Sequence, residues 1–263
     1  MSARNLRRLW RAARVSLHLL WGLCLAVTLV LLRPLLGGRL YPRLRDGLAR
    51  YWLGAASRAV GLRCEWRGRA LAGPVLIVAN HISWLDILVL GRVFGPGFVA
   101  KAEVARWPLL GWLARQAGTL FLQRGHRGSA GQVLDQLTWQ LAGGRTALLF
   151  PEGTTSDGSG VLRFKPRLFQ AAVRTRVPVQ PVALRYRGPG GGPGPVPFLG
   201  EQSFFANLWQ VLAMPALRAE VDCLPPLQHG LDPRILAESS QNSVARALDP
   251  ARAAAFASQS AAL

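Results

Sequence analysis

The stretch Val75–Leu90 reads V-L-I-V-A-N-H-I-S-W-L-D-I-L-V-L. Its first five residues are apolar and are followed by Asn80 and His81, which is the pattern of a buried strand that enters a loop. Ser83 is a suitable N-cap for a helix that begins at Trp84. Ligands bind at the carboxyl ends of strands in open α/β sheets, so this histidine stands where a functional group is expected.

The spacing between His81 and Asp86 has a chemical meaning. In one continuous helix, positions five apart point about 140° away from each other. With His81 in a loop and Asp86 in the first helical turn, the carboxylate can accept the Nδ1 proton and leave Nε2 as a base. No serine or cysteine is obviously placed as a nucleophile, so the base could act directly on a substrate hydroxyl. A helix-capping loop with a solvated ion pair remains an alternative.

Composition limits the possible partners. The 263 residues suffice for one catalytic domain with an appendage, and half of them are hydrophobic. Lys and Arg number 32 against 13 Asp and Glu, and a net charge of +19 attracts anionic lipid headgroups, nucleic acid or acidic proteins. The three cysteines and four histidines are scattered, which predicts neither a disulfide framework nor a metal site.

The N-terminal region predicts membrane contact. Val15–Leu32 is apolar and marginally long enough to span a bilayer, and arginines both precede and follow it. A secretory signal peptide shares this pattern, but no small-residue cleavage motif follows. Residues 36–53 are loosely amphipathic, and the positive-inside rule selects no topology. We therefore predict a membrane-associated helical hairpin over residues 1–58, with a buried core helix as the alternative.

The remainder alternates between strand and helix patterns. This alternation predicts an α/β fold with a mixed, largely parallel sheet flanked by helices, over residues 59–249, and a loose tail over 250–263. The expected strands are Leu62–Arg67, Val75–Ala79, Phe98–Ala100, Gly118–Leu122, Thr146–Phe150, Val177–Leu184 and Leu217–Leu224.

Polar residues follow four of these strands. They are His81 after the second strand, Lys101 and Arg124 after the next two, and Glu152 with Gly153 after the fifth. If the four strands share one carboxyl edge, a base, two cations and a carboxylate meet in one cleft. Backbone N–H groups of a glycine-containing loop can also bind phosphate oxygens.

Four blocks of the sequence resemble the glycerolipid acyltransferases, the lysophosphatidic acid acyltransferase family. N-H-I-S-W-L-D (Asn80–Asp86) is similar to the N-H-x4-D block of that family. F-L-Q-R (Phe121–Arg124), F-P-E-G-T-T-S (Phe150–Ser156) and V-P-V-Q-P-V (residues 177–182) resemble its second, third and fourth blocks. The order and spacing agree, and the resemblance covers roughly residues 70–185.

The resemblance implies a role for each matched residue. His81 would take the proton from a lipid hydroxyl, Asp86 would orient it, and the hydroxyl would attack an acyl thioester without an acyl-enzyme. Arg124, Glu152 and Gly153 would hold the glycerol and phosphate of the acceptor. The remaining predicted substrate-binding residues are Asn80, Lys101, Thr154, Thr155, Lys165 and Pro178, the last shaping the acyl or acceptor pocket. No cofactor is expected, and acyl-CoA or acyl-ACP is the co-substrate.

One position departs from the family pattern. The third block usually has arginine after E-G-T, whereas this chain has Thr155, which offers a neutral hydroxyl instead of a cation. Either Lys165 or Arg163 replaces the missing charge, or the acceptor is not a phosphate lipid. The Ser83–Trp84 pair and the T-T-S-D-G stretch resemble a related branch, the lyso-ornithine-lipid acyltransferases.

The sequence thus predicts a membrane-associated O-acyltransferase that acylates a lysophospholipid, first 1-acyl-sn-glycerol-3-phosphate to give phosphatidic acid, or alternatively lyso-ornithine lipid. A remoter alternative is a non-enzymatic basic protein that binds membranes or nucleic acid, although stacked aromatic–basic motifs are lacking. A hydrolase is also conceivable but lacks a G-x-S-x-G nucleophile. Expected partners are the two substrates, membrane lipids and an acyl carrier protein, with no nucleic acid. The expected location is a bacterial-type inner membrane, with the active site facing the cytoplasm.

Overall fold

The predicted alternation of strands and helices is present in the computed structural model, which describes residues 2–123 and 129–249. The strands are β1 (Leu62–Arg67), β2 (Leu76–Ala79), β3 (Val99–Lys101), β4 (Leu120–Leu122), β5 (Ala147–Leu149), β6 (Val179–Arg187) and β7 (Leu217–Cys223). The α-helices are α1 (Ala3–Ala59), α2 (Leu85–Phe94), α3 (Leu110–Ala117), α4 (Ser129–Ala142), α5 (Gln170–Thr175), α6 (Phe204–Ala213) and α7 (Pro233–Leu248). Short 3₁₀ helices at Ala102–Arg106 and Pro166–Phe169 precede α3 and α5.

The sheet is mixed and largely parallel, as the sequence predicts. Five strands pair in the order β1-β7-β6-β2-β5, with β6, β2 and β5 parallel to one another. Strand β7 runs antiparallel to β6 and parallel to β1. Strands β3 and β4 form a second parallel pair, which a bridge between Phe98 and Leu148 joins to the edge at β5. These parallel strands therefore have their carboxyl ends at the same end of the sheet, in the order β6, β2, β5, β3 and β4.

Strand β2 is central because both of its faces are buried. Alternate side chains of a strand point to opposite faces, so Ile77 packs into one apolar cluster while Leu76 and Val78 pack into another. The first cluster includes Leu85 of α2, and the second includes Leu137 of α4. The apolar run before the histidine is therefore the two-sided core strand that the sequence predicts.

Helix α1 forms the predicted helical hairpin. It breaks at Gly37, whose φ of 64° lies in the left-handed region that glycine tolerates, and the chain then returns alongside its first arm. His18 and Trp52 stack at 4.7 Å between ring centroids, and Trp52 Nε1 donates to the His18 carbonyl at 3.2 Å. An added Cβ on Gly22 would lie 2.3 Å from that indole nitrogen, so the two arms approach closely at this point.

The first arm of the hairpin combines an apolar surface with polar contacts to the catalytic part. Ala3–Gly38 is long and apolar enough to cross a membrane, and only 6% of its most apolar stretch is buried, which excludes the buried core helix considered above. Arg7 donates to the Ala213 carbonyl, and Arg11 donates to the Leu212 and Met214 carbonyls. These arginines satisfy carbonyl groups at the C-terminus of α6, which lack partners within that helix.

The start of α2 differs from the sequence prediction. Helix α2 begins at Leu85, and its N-cap residue, Trp84, makes no side-chain capping bond. The prediction that Ser83 caps this helix is wrong, because its hydroxyl is buried and forms no hydrogen bond with any described residue. The division into three domains stays a prediction, and its tail, residues 250–263, lies outside the described residues.

Candidate active site

His81 and Asp86 meet as their spacing suggests. His81 leaves β2 into a short loop, Asp86 occupies the first turn of α2, and Nδ1 of the imidazole lies 2.7 Å from Oδ2 of the carboxylate. The His81 side chain is 20% exposed, whereas Asp86 is fully buried. With the Nδ1 proton held by the carboxylate, the free nitrogen is Nε2, and no described residue forms a hydrogen bond with it.

The buried Asp86 carboxylate is well supplied with hydrogen-bond donors. Oδ2 accepts from the backbone N–H groups of Ile82 and Ser83 at 2.7 and 3.0 Å, in addition to the imidazole. Oδ1 accepts from the hydroxyl of Tyr186 at 2.7 Å. A buried charge is costly unless it is paired and hydrogen-bonded, and these donors provide that pairing. The carboxylate therefore fixes both the loop and the orientation of the imidazole, which excludes the merely solvated pair.

The histidine ring is also held from the side. Its face stacks on Phe150, with ring centroids 4.0 Å apart and planes 13° from parallel. Its backbone carbonyl accepts from the backbone N–H of Ser156 at 2.7 Å. Phe150 and Ser156 bound the third sequence block, so the two motif blocks build one site. A held imidazole whose side chain is partly exposed can serve as a general base toward a bound hydroxyl.

Glu152 lies beside this base but is only 2% exposed. Oε2 accepts from the His81 N–H at 3.4 Å, and Oε1 accepts from the Leu162 N–H at 3.2 Å. Burial raises the pKa of Glu152 from about 4.5 to about 7, although both N–H groups favour the ionised form. The carboxyl group thus braces the third block against the histidine loop, and its raised pKa favours the protonated form more than in an exposed glutamate.

Two further residues of the third block have defined surroundings. Gly153 has a φ of 71°, and an added Cβ would lie 2.7 Å from Nζ of Lys165, so the ammonium group of the lysine lies over this glycine. The hydroxyl of Thr155 donates to the backbone carbonyl of Phe198. A cation is therefore present beside the block, whereas the threonine hydroxyl is occupied within the protein.

Two predicted substrate-binding residues are corrected by the structure. Asn80 is fully buried, and its amide donates to the Leu184 carbonyl at 3.0 Å and accepts from the Leu184 N–H at 2.8 Å. It joins β2 to β6 and cannot reach a substrate. Pro178 directly precedes Val179, which pairs with Leu76, the first residue of β2, and the Pro178 carbonyl accepts from the Leu76 N–H. At about 3.3 Å per residue, it lies roughly 20 Å along the strand direction from the histidine, at the opposite end of the sheet.

Of the other predicted positions, Lys101 lies apart from the histidine and Arg124 lies outside the described residues. Lys101 ends β3 and forms an ion pair with Glu103 at 3.5 Å, with both side chains about half-exposed. Because β5 lies between β3 and β2, the lysine is about 10 Å from the histidine strand rather than in contact with it. Thr154 lies within the third block, and its side chain is exposed. Arg124 lies outside the described residues.

An apolar cavity of about 460 Å³ lies next to the site. Its walls come from both arms of the hairpin and from α2, α3 and α6. Phe98 lines the cavity and stacks on Phe150 at 6.4 Å, so a row of aromatic rings connects it to His81. Trp84, three residues after the histidine, also lines it. A hydrocarbon chain can therefore be accommodated beside the base.

Sequence reasoning missed two partners of the motif residues. Tyr186 is buried near the end of β6, where a phenol two residues after Leu184, and so on the same face of the strand, was the available signal. Asn207 in α6 is also fully buried, and it accepts from Trp84 Nε1 at 2.8 Å. Its own amide donates to the Pro195 carbonyl at 2.8 Å. Asn207 thus ties α6 and the preceding loop to the first block.

Comparisons with known proteins identify the enzyme family. A family model described as acyltransferase matches residues 63–185. The chain is 40% identical over 245 residues to a lyso-ornithine lipid O-acyltransferase of Pseudomonas aeruginosa, covering 93% of this chain and 94% of that protein. It is 34% identical over 172 residues to a 1-acyl-sn-glycerol-3-phosphate acyltransferase of Neisseria gonorrhoeae, covering 65% and 68%.

The fold has a solved counterpart. The crystal structure of the 1-acyl-sn-glycerophosphate acyltransferase of Thermotoga maritima superposes with a TM-score of 0.72, covering 95% of this chain and 96% of that one at 22% identity. This likeness concerns the fold, including the long N-terminal helix. The sequence relatives concern the enzyme class, and they set aside a non-enzymatic binding protein. The chain belongs to the lysophospholipid acyltransferase family that includes the lysophosphatidic acid and lyso-ornithine lipid acyltransferases, and it is an acyltransferase.

Proposed function

We propose that the protein transfers a fatty acyl group from an acyl thioester to the free hydroxyl of lyso-ornithine lipid. The observation that carries the chemistry is the 2.7 Å contact of His81 Nδ1 with the buried Asp86 carboxylate, which leaves Nε2 as the base. Nε2 takes the hydroxyl proton as the oxygen attacks the thioester carbonyl carbon. The C–S bond then breaks, and the imidazolium returns the proton to the departing thiolate. No acyl-enzyme forms.

Two observations favour the ornithine acceptor over a phosphate acceptor, and this reverses the order that the motifs alone suggested. Thr155 stands where the family usually has a phosphate-binding arginine, and its hydroxyl donates a hydrogen bond to the Phe198 carbonyl. The similarity to the Pseudomonas aeruginosa protein, named for lyso-ornithine lipid, extends over nearly the full length of both chains.

A second candidate acceptor is 1-acyl-sn-glycerol-3-phosphate. The ammonium group of Lys165 lies over Gly153, where it can supply a cation to an acceptor phosphate. A Thr155→Arg variant tests the importance of this region. We expect it to raise the ratio of turnover on the phosphate acceptor to turnover on lyso-ornithine lipid, and an unchanged ratio would contradict the assigned role of position 155.

The donor and the location are part of the same proposal. The apolar cavity is suited to an acyl chain, and the excess of basic residues favours acidic donors, either acyl-CoA or an acyl carrier protein. The hairpin would seat the enzyme in a bacterial inner membrane with its site on the cytoplasmic side, where such thioesters are made. Basic residues at the start of the first arm would contact anionic headgroups there.

The experiment is an acyl-transfer assay with the full-length protein in mixed micelles. Acyl-CoA is supplied with either lyso-lipid, and the released thiol and the acylated product are both measured. We expect thiol release that requires added acceptor and is lost in His81→Ala. His229→Ala is the matched control, because that histidine is exposed and outside the site. Thiol and free fatty acid without an acceptor would indicate a hydrolase, and full activity of His81→Ala would refute the mechanism.

A further inference from the structure

A second cavity, which we call the polar groove, lies beside the candidate active site. It has a volume of about 650 Å³ and lies between the turn that follows the third sequence block and the loop that precedes α6. Its walls are formed by Asp157, Gly158 and Ser159 on one side and by Pro193, Gly194, Pro197, Leu199 and Gln202 on the other. This volume is typical of sites for small molecules or headgroups.

Both walls of the polar groove are fixed to the histidine loop. Ser156, directly before the groove, donates its N–H to the His81 carbonyl, and Gly158 packs against the Ile82 side chain. From the opposite wall, Phe198 donates its N–H to the Ile82 carbonyl at 3.0 Å. The groove is therefore attached on both sides to the loop that carries the histidine.

The charge of the polar groove is the opposite of the chain's overall charge. Of the residues that line it, Asp157 alone is charged, in a protein with a net charge of +19. The carboxylate accepts from the N–H and the hydroxyl of Ser159 at 2.9 and 2.7 Å. These hydrogen bonds lower the pKa of Asp157, so it stays ionised at neutral pH. Such a wall attracts a cation and repels a phosphate.

We propose that the polar groove binds the ammonium-bearing headgroup of the acceptor lipid, with Asp157 as its counter-ion. This inference rests on the proposed acceptor, because the side-chain amine of an ornithine headgroup is protonated at neutral pH, whereas a glycerol phosphate has no cation. Gln202 adds a side-chain amide to the same groove. Its Oε1 accepts from the Asn207 amide, so the N–H groups of Gln202 point away from Asn207. The groove thus selects the acceptor by the charge of its headgroup amine, which lies several bonds away from the reacting hydroxyl.

The test compares two acceptors that differ in one charge. Lyso-ornithine lipid and its derivative acetylated on the side-chain amine are assayed with the full-length protein and with Asp157→Asn. We expect the wild type to show a KM about two- to fivefold lower for the free-amine lipid, the size typical of an exposed ion pair, and the variant to lose this preference. Asp135→Asn on α4 is the control, because it removes another exposed carboxylate, which lies outside the groove.

The outcomes separate this inference from the proposed function. Equal KM values for the two lipids in the wild type, or an unchanged preference in Asp157→Asn, would refute the role of the groove. If the wild type does not acylate lyso-ornithine lipid, the proposed acceptor is wrong. The groove is then judged by equilibrium binding of both lipids to His81→Ala protein in micelles. A preference for the free-amine lipid that Asp157→Asn removes would support it, and equal binding would overturn it.

Discussion

Replacing Asp86 by asparagine is the sharpest test of the base and its orienting group. Asparagine keeps the volume of the side chain but has one acceptor oxygen instead of two. That oxygen fits where Oδ2 now accepts from the imidazole and from the N–H groups of Ile82 and Ser83. The new NH2 group then faces the hydroxyl of Tyr186, which can reverse and accept. The loop should therefore keep its geometry while the charge disappears.

The magnitudes follow from those contacts. Three hydrogen bonds to Asp86 Oδ2 lose their charge assistance, at about 1 kcal/mol each, so the free energy of unfolding should fall by roughly 3 kcal/mol or less. Catalysis loses more, since the imidazolium that forms in the transition state no longer faces a carboxylate 2.7 Å away. By analogy with other His–Asp pairs, we expect kcat to fall by about 10³- to 10⁴-fold, which corresponds to about 4–5 kcal/mol.

The assay is thiol release under saturating substrates, with thermal unfolding measured on the same samples. The control is Ser83→Ala in the same loop, because the Ser83 hydroxyl is buried and forms no hydrogen bond with the described residues. We expect this control to keep activity within about threefold of the wild type, since a buried hydroxyl without a partner contributes little. A folded Asp86→Asn protein with activity in the same range would refute the orienting role of the carboxylate.

Three further predictions concern residues around the site and the hairpin. Tyr186→Phe removes a buried donor to the carboxylate, so unfolding free energy should fall by about 1–3 kcal/mol and kcat by roughly tenfold; unchanged kinetics would contradict its positioning role. The folded state binds a proton on Glu152 more tightly than the unfolded chain does, so this group's contribution to stability is fully present below about pH 4.5 and is lost as the pH rises to about 7. Glu152→Gln should remove this pH dependence of the free energy of unfolding, which amounts to at most about 3 kcal/mol in denaturant titrations. An unchanged pH dependence in the variant would contradict the raised pKa of Glu152. Gly22→Ala should destabilise the protein by about 1–3 kcal/mol through its clash with Trp52, whereas Gly38→Ala, with open space around it, should not; equal melting temperatures of the two variants would contradict the packing of the hairpin.

The sequence predicts the fold and the centre of the site because both depend on local patterns. An apolar run that ends at Asn80 and His81 identifies a buried strand and a loop, and Asp86 follows at a spacing that a loop can close. Alternation along the chain predicts the mixed, largely parallel sheet. Gly37 supports the hairpin for the same reason, since a residue that tolerates positive φ separates two helical segments.

The remaining errors concern positions whose surroundings depend on strand pairing and on contacts distant in the sequence. Which end of the sheet carries Pro178 depends on whether β6 runs parallel or antiparallel to β2, and no local pattern specifies that direction. Whether Asn80 faces a substrate or a neighbouring strand depends on the proximity of Leu184, about a hundred residues away. Tyr186 was missed for the same reason. The distance of Lys101 from the histidine depends on a third strand between them.

The arginine contacts between the first arm of the hairpin and the C-terminus of α6 have a consequence for how the enzyme can be handled. Arg7 and Arg11 supply donors to carbonyl groups of the catalytic half, and the hairpin contributes walls to the apolar cavity. The anchor is therefore a structural component rather than a tether. A truncation designed to yield a water-soluble enzyme would uncap α6 and open the cavity to solvent. Removal of the hairpin would therefore take away the long apolar helix and part of the cavity wall together.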